Sequence, residues 1–439
     1  MNEVRIEPAR ALRWAPGWVL LVVALWPLHG IATALLAAGA LVGLAELALR
    51  RFRGGLGLMS GPAWALTGVL FAAYWLPELL SLIGAADWTH GLRKVLSDIL
   101  VLPLLWLAAA SVAVARGRQI VFSGLGLIAL VWTVDALVAA GTGTSPLFWL
   151  LDRGRLALLG QPLCLPQEVD APGRLAGVFG PCNPKLGIVL ASLSPFALET
   201  AGRRAGGIGW WLAALAIGVV VLLAGARAAW LTYALVLLWS GWRALGRRGL
   251  LALLAVMLLG MGALAAWSPL VQERVQRSAQ ALDGGMAALD AALSGRLRIW
   301  SGALCMLREH PLNGVGVRGF RAAFPACDPH PERVPAWGAG PPLHAHQLVL
   351  EVASETGLVG LLLWLAGAAL AWRAWRYADR AARARAHPAM LALAVSVFPL
   401  NTHLAAYSTF WGGVLLLLAG LYVGSLWGPV EPEASAPQR

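Results

Sequence analysis

The sequence predicts an all-α integral membrane protein of about twelve transmembrane helices, with a helical subdomain on one membrane face. Three observations lead there. Of 439 residues, 59% are hydrophobic and only 13% are charged, against roughly 25% charged in a soluble domain. Apolar runs recur along nearly the whole chain, each long enough to cross a hydrocarbon core of about 30 Å. The arginines fall between these runs in a regular alternation, as the positive-inside bias requires.

The spans are read in order at about 15–29, 31–49, 62–83, 95–115, 119–140, 185–201, 207–225, 228–243, 250–267, 346–372, 388–404 and 407–427. An even number places both termini on one side. Arg5, Arg10 and Arg13 precede the first span and put that side in the cytoplasm. The alternate loops agree: Arg50, Arg51 and Arg53; Arg116 and Arg118; Arg203 and Arg204; Arg243, Arg247 and Arg248; and the group from Arg373 to Arg385. The first apolar run lacks a small-residue cleavage site and leads straight into the second, so it reads as a span and not as a secretory signal. Several tryptophans, Trp14, Trp18, Trp75, Trp106 and Trp372, sit near span ends, where the interface anchors them.

Two long connections remain for the periplasmic side, about 141–184 and 268–345. They divide the chain into residues 1–267, with nine spans; 268–345, a large helical loop; and 346–439, with the last three spans and a cytoplasmic tail. Connections of this length inside a compact protein carry function or form subdomains. All four cysteines lie in or beside them. An oxidising compartment makes Cys164–Cys182 and Cys305–Cys327 plausible disulfides, with four free thiols as the alternative. No Cys-x-x-Cys spacing suggests a metal. The net charge of +12 does not point to nucleic acid, because no basic segment is interleaved with aromatics in a polar domain. The partners it implies are membrane lipids.

The chemistry-bearing residues concentrate near the second long loop. It holds Arg274, Arg277, Arg296, Arg298, Arg308, Arg318, Arg321 and Arg333. A solvated basic subdomain is one reading. The other is an anion chamber, since the guanidinium fork matches phosphate oxygens. Arg227 stands between two apolar runs with almost no loop, where an arginine snorkels to the interface or lines a cavity. Arg296 opens a helix whose apolar stripe is Leu297, Trp300, Leu304 and Leu307 and which stops before Pro311. A helix N-terminus offers backbone N–H groups to an anion as well. His346 opens the tenth span as a polar cap, or as a base that accepts a hydroxyl proton near neutral pH. Glu46, Glu78, Asp98, Asp135, Glu351 and Glu355 lie in or near spans, where ionisable groups are costly. Glu351 and Glu355, four apart on one helix face, could pair with the outer arginines. No D-x-D pair lies in either long loop, which argues against a sugar-nucleotide enzyme that needs Mg²⁺ or Mn²⁺.

Four segments resemble the O-antigen ligases, within the wider superfamily of lipid-linked glycan ligases and polymerases. His346-Gln347, nine residues, then Gly357-Leu358-Val359-Gly360 is similar to the pattern H-[N/S/Q]-x9-G-x-x-G. Arg296-x-x-x-Trp300, followed by Pro311-Leu312-Asn313-Gly314-Val315-Gly316, resembles R-x-x-x-W…P-x-x-G-x-G. Ala226-Arg227-Ala228-Ala229-Trp230 resembles the turn S-R-G-A-W with alanine in place of serine and glycine. Arg174 to Asn183, with Gly177, Phe179 and Gly180, resembles R-x-x-G-x-F-G-x-x-N. The resemblance covers roughly 170–430 and separates ligase from polymerase poorly.

The resemblance implies a glycosyltransferase-C-like membrane fold and an inverting glycosyl transfer that needs no metal or other cofactor. The implied donor is O-antigen on undecaprenyl pyrophosphate, and the implied acceptor is a sugar hydroxyl of the lipid A–core. Arg227 and Arg296 would neutralise the departing pyrophosphate and His346 would take the hydroxyl proton. Arg174, Arg298 and Arg321 could assist, and Arg298 could replace Arg296. The other enzyme readings are an O-antigen polymerase and a transferase of glycan to protein. The reading outside catalysis is a transporter or flippase of an anionic solute or lipid. Paired broken half-helices would favour it, and the sequence offers none.

Overall fold

A computed structural model describes residues 12–52, 59–99, 101–169, 173–267, 272, 276, 285–338, 340–401 and 405–428. Arg5, Arg10, Arg53, Arg274 and Arg277 therefore lie outside the described residues. The described chain is helical, with no strand. The helices are α1 (Ala15–Ala24), α2 (His29–Phe52), α3 (Gly61–Leu80), α4 (Trp88–Ile99), α5 (Leu102–Ala113), α6 (Ala115–Thr142), α7 (Pro146–Leu159), α8 (Leu186–Leu223) and α9 (Arg227–Trp267). They continue as α10 (Gly285–Ala292), α11 (Arg296–Glu309), α12 (Phe320–Cys327), α13 (Leu348–Tyr377), α14 (Arg380–Ser396) and α15 (Thr409–Leu426).

Starts are set by side chains that accept otherwise orphaned N–H groups. Ser60 accepts from Ala63 N at 3.3 Å, Ser145 from Phe148 N at 3.0 Å and Asp379 from Ala382 N at 2.6 Å. Among the described residues, seven helical stretches are long and apolar enough to cross a membrane: Gly30–Leu49, Gly61–Leu80, Trp88–Ala113, Ala115–Thr142, Leu186–Leu223, Leu348–Tyr377 and Thr409–Leu426. The first of the long helices doubles back. α8 is broken at Ala205 and Gly206, and a Cβ on Gly187 near its start would meet Ala224 just past its end. Its two ends therefore lie together, with Arg203 and Arg204 at the far turn. α9 is broken likewise at Gly246, with Gly241 packed beside Leu250.

The main apolar core lies between α1, α3, α5, α6, α8, α14 and α15. A separate small core, built on Ile299, Ala303, Met306, Phe320 and Phe324, holds α11 against α12. Here the expected apolar stripe is corrected. Leu304 is exposed and Leu297, Trp300 and Leu307 are only partly buried. The packed face is Ile299, Ala303 and Met306, because the small Gly302 lets the Phe324 ring come within contact distance. Disulfides join Cys305 to Cys327 between these two helices, and Cys164 to Cys182 in the loop before α8.

Two further expectations change. The run 95–115 is not one uninterrupted helix. α4 ends at Ile99, α5 begins at Leu102 with Pro103 in its first turn, and α4 buries Lys94 and Asp98. Proline cannot donate within a helix but suits its first turn. Lys94 bonds Asp98 and lies 3.8 Å from Glu78 on α3, so three ionisable groups share one buried pocket.

The second change is α13, which is a broken helix. Gly357 has φ 68° and ψ −171°, a region that only glycine occupies at low cost. The break frees backbone groups, and the 311–316 loop takes them. Val315 N donates to Ser354 O at 2.9 Å and Gly316 N to Glu355 O at 3.0 Å. Leu358 N donates to Pro311 O at 2.8 Å and Val359 N to Leu312 O at 3.1 Å. Two of the glycine-bearing motifs are thus two halves of one contact. A Cβ on Gly357 would lie 2.2 Å from Leu312 O, and one on Gly314 would lie 2.4 Å from the Glu355 carbonyl carbon. Gly357→Ala is expected to destabilise the protein by about 2 kcal/mol or more, from backbone strain plus overlap. Thermal unfolding in detergent measures this, and an unchanged midpoint would contradict the role given to the break.

Candidate functional site

Four residues from four separate segments meet at the end of the bundle where α8 starts and finishes. Arg174 follows Gly173 in the loop before α8, where Leu175 N donates to Leu223 O at 3.3 Å. Arg227 is the first residue of α9, after a turn that Gly225 makes possible at φ 68°. Its Nη2 donates to Ala292 O, 2.7 Å away at the end of α10. Arg296 is the first residue of α11, and His346 precedes α13, whose start Gln347 caps by accepting from Leu350 N.

The arginines are close enough for their charges to act on one another. Burial pushes Arg296 down to about 10, and the charges of Arg227 and Arg174 push the same way. Among the described residues, none of these three guanidinium groups forms an ion pair with a carboxylate. Like charges held together without a counterion favour an anion that carries at least two charges.

His346 is half-buried, and burial lowers it to about 4, with the Arg296 charge adding to the effect. At neutral pH the imidazole is therefore uncharged and able to accept a proton. Its backbone lies in the left-handed region at φ 52°. Among the described residues, the other two non-glycine residues of that kind are Ser294 at 59°, two residues before Arg296, and Arg318 at 64°. Arg318 N donates to Glu355 Oε2 at 2.8 Å. Each such residue stores about 1–3 kcal/mol, and all three flank the segments that carry the site.

The N-terminus of α11 is not open to an anion. Asp290 Oδ1 accepts from Leu297 N at 2.8 Å and from Arg298 N at 3.2 Å. A carboxylate of the chain itself fills the seat that the sequence offered to a ligand, and it fixes where Arg296 leaves the helix.

Arg298 points elsewhere. Its Nε and Nη2 donate to Asp328, each at 2.6 Å, its Nη1 donates to Arg333 O at 3.0 Å, and the group lies 4.9 Å from the Trp337 ring centre. The whole fork is engaged, which raises Arg298 above its ordinary value and lowers Asp328. Arg321 is exposed on α12. Of the five arginines expected to bind pyrophosphate, Arg174, Arg227 and Arg296 act on one another through their charges, while the fork of Arg298 is taken up by Asp328 and Arg333 O.

A cavity of about 640 Å³ opens beside Arg174, lined by Phe148, Trp149, Asp152, Ala176 and Leu223 among others. α7 forms one wall. Asp135 holds its start, accepting from Leu147 N at 2.8 Å and Ser145 Oγ at 2.7 Å. Glu351 Oε1 accepts from Tyr407 N at 3.2 Å, so both acidic residues of early α13 secure backbone, and among the described residues neither forms an ion pair with an arginine. The one group among the described residues with metal-like spacing is Cys305, Glu309 and Cys327. Its two sulfurs are bonded to each other and offer no thiolate.

Sequence reasoning passed over three supporting residues, His344, Asp290 and the indole N–H of Trp300. The sequence marked Trp300 as a motif residue, but gave no sign of the hydrogen bond that its N–H makes. The Arg298–Asp328 pair yields a stability prediction. Asp328→Asn leaves a buried guanidinium short of its counterion and should cost about 2–3 kcal/mol. In the parent protein this stabilisation is complete above about pH 4, the carboxylate's unfolded value. It is lost as pH falls through the lower folded value. Thermal unfolding of both proteins across that range should show the acid-dependent part vanish in the variant.

A search of curated proteins found no significant match to the chain. The sequence profile of the family described as O-antigen ligase matches residues 212–365. That stretch contains Arg227, Arg296, His346 and the glycines of the broken helix, and leaves Arg174 outside. Residues 212–365 are similar to the O-antigen ligase family, in agreement with the resemblance that the motifs carry.

Proposed function

We propose that the protein is an O-antigen ligase of the bacterial inner membrane, with about twelve crossings, both termini cytoplasmic and the site facing the periplasm. It transfers O-antigen polysaccharide from undecaprenyl pyrophosphate to a sugar hydroxyl of lipid A–core, with inversion and without a metal. The observation that supports this most is the cluster of Arg174, Arg227 and Arg296, which among the described residues form no ion pair with a carboxylate, next to an uncharged His346.

In the proposed reaction the acceptor hydroxyl attacks the anomeric carbon of the donor. His346 takes the hydroxyl proton as the new C–O bond forms. The bond from the anomeric carbon to the phosphate oxygen breaks, and the electron pair leaves with the pyrophosphate. Arg227 and Arg296 stabilise that growing negative charge, and Arg174 joins them from the cavity wall. The cavity, walled largely by apolar residues, suits a donor that arrives as a lipid.

Polymerisation of the same donor would use the same chemistry, because only the acceptor differs. Deleting the gene separates the two. Loss of a ligase leaves core without O-antigen, with glycan held on its lipid carrier. Loss of a polymerase leaves core bearing a single repeat, and that outcome would overturn the ligase reading.

His346→Ala is expected to lower transfer about 10²–10⁴-fold in membranes at normal expression. Full activity would end the assignment of the base. Arg227→Lys and Arg296→Lys keep the charge but lose the bidentate fork, and each should impair transfer. Indifference to both would count against the pyrophosphate seat. Transfer should stay level through neutral pH and fall only as pH drops toward about 4, where His346 gains its proton. Removing the nearby charge in Arg296→Met eases that protonation, so the acid limb should move to higher pH. A limb that stays in place would disconnect the two residues.

A further inference from the structure

His346 sits in a backbone conformation that most side chains avoid, so something must hold it there. The peptide unit that joins Ala345 to His346 is gripped at both ends. On one side Trp300 Nε1 donates to Ala345 O at 3.1 Å. On the other, His346 N donates to His344 Nδ1 at 3.1 Å. Carbonyl and N–H belong to one planar group, so two side chains fix its tilt. Ala345 itself is fully buried in the small core of α11 and α12. Trp300 stands one turn after Arg296 on α11, and therefore ties the helix that carries the arginine to the residue before the imidazole. The two imidazole rings are tilted by 50° to each other, with centroids 3.9 Å apart.

Resting on the proposed function, we infer that His344 and Trp300 are positioning residues that clamp the Ala345–His346 peptide and so aim the His346 ring at the site. His344 serves through an acceptor nitrogen, not as a carrier of the substrate's proton. To accept from a backbone N–H, Nδ1 must present its lone pair, which leaves the ring proton of the neutral form on Nε2. Glu351 Oε2, at 3.8 Å from Nδ1, is beyond hydrogen-bond range and does not compete for that position. A short side chain that accepts from the N–H two residues on is the same device that asparagine and aspartate use in turns. The Oδ1 of an asparagine lies as many bonds from the backbone as the imidazole Nδ1, so asparagine at this position can make the same contact without an imidazole.

The experiment compares the full-length protein with His344→Ala, His344→Asn and Trp300→Phe in nanodiscs. Its first readout needs no catalysis. Diethylpyrocarbonate modifies accessible neutral imidazoles, and mass spectrometry locates the label on His346. The clamp predicts faster labelling of His346, by roughly threefold or more, in His344→Ala and in Trp300→Phe, and a parent-like rate in His344→Asn. Unchanged labelling in all three variants overturns the inference.

The second readout is glycan transfer from an undecaprenyl-pyrophosphate-linked oligosaccharide to purified lipid A–core. His344→Ala should lose about 10- to 100-fold in kcat with the donor KM little changed, and His344→Asn should recover most of the loss. An asparagine variant as impaired as alanine would show that the imidazole itself is required, and would overturn the positioning role. On a His346→Ala background, His344→Ala should change the residual rate less than about twofold, because there is no base left to aim. A second full loss there would mark His344 as important for some other reason. If the variants label as predicted but the parent protein transfers nothing, the proposed reaction fails and the clamp stands.

Discussion

The site is organised around repulsion. Among the described residues, Arg174, Arg227 and Arg296 form no ion pair with a carboxylate, and Arg296 is partly removed from water as well. Such a cluster costs free energy in the unliganded protein. It persists because the segments that bear it are fixed elsewhere, and the cost is recovered when a multiply charged anion arrives. Burial is the main reason that His346 stays uncharged, and the Arg296 charge of the same cluster adds to it. One electrostatic arrangement therefore bears on both halves of the proposed chemistry, a seat for a departing pyrophosphate and a neutral base beside it.

The supports are structural and stand one layer back. Asp290 caps α11 at Leu297 and Arg298, which fixes the point from which Arg296 projects. The break at Gly357 turns early α13 into an acceptor edge for the 311–316 loop, and Glu355 reaches on to hold Arg318 N. Below that, Glu78, Lys94 and Asp98 share a pocket between α3 and α4. Buried charges of this kind are costly unless paired, so they fix the relative placement of those helices more than they add to stability. The glycine motifs thus serve geometry, and the arginines and histidine they position are left to the chemistry.

Much of this was legible in the sequence. The apolar runs marked most of the helices because lipid leaves few alternatives to helix for a spanning chain. Arg227, Arg296 and His346 could be singled out by their places beside membrane runs and by the motifs around them. Arg298 could not be separated from Arg296 by pattern. Two positions along a helix are about 200° apart around its axis, so one guanidinium faces the cluster and the other turns into the small core, where Asp328 meets it. The interruption between α4 and α5 and the break in α13 were hidden for a related reason. Both lie inside apolar runs; Val101 N donates to Asp98 O across the first, and the distant 311–316 loop takes up the backbone groups freed at the second. The supporting roles of Asp290, His344 and Trp300 depend on contacts that no spacing rule encodes.

The central claim is that the three guanidinium groups form one seat for a lipid-linked diphosphate. It is tested most directly by titrating undecaprenyl pyrophosphate into the detergent-solubilised protein and following binding by calorimetry at two salt concentrations. The account predicts binding that weakens with salt and weakens about tenfold or more in each of Arg227→Gln and Arg296→Gln. Equal affinity in the parent and in both variants would contradict it.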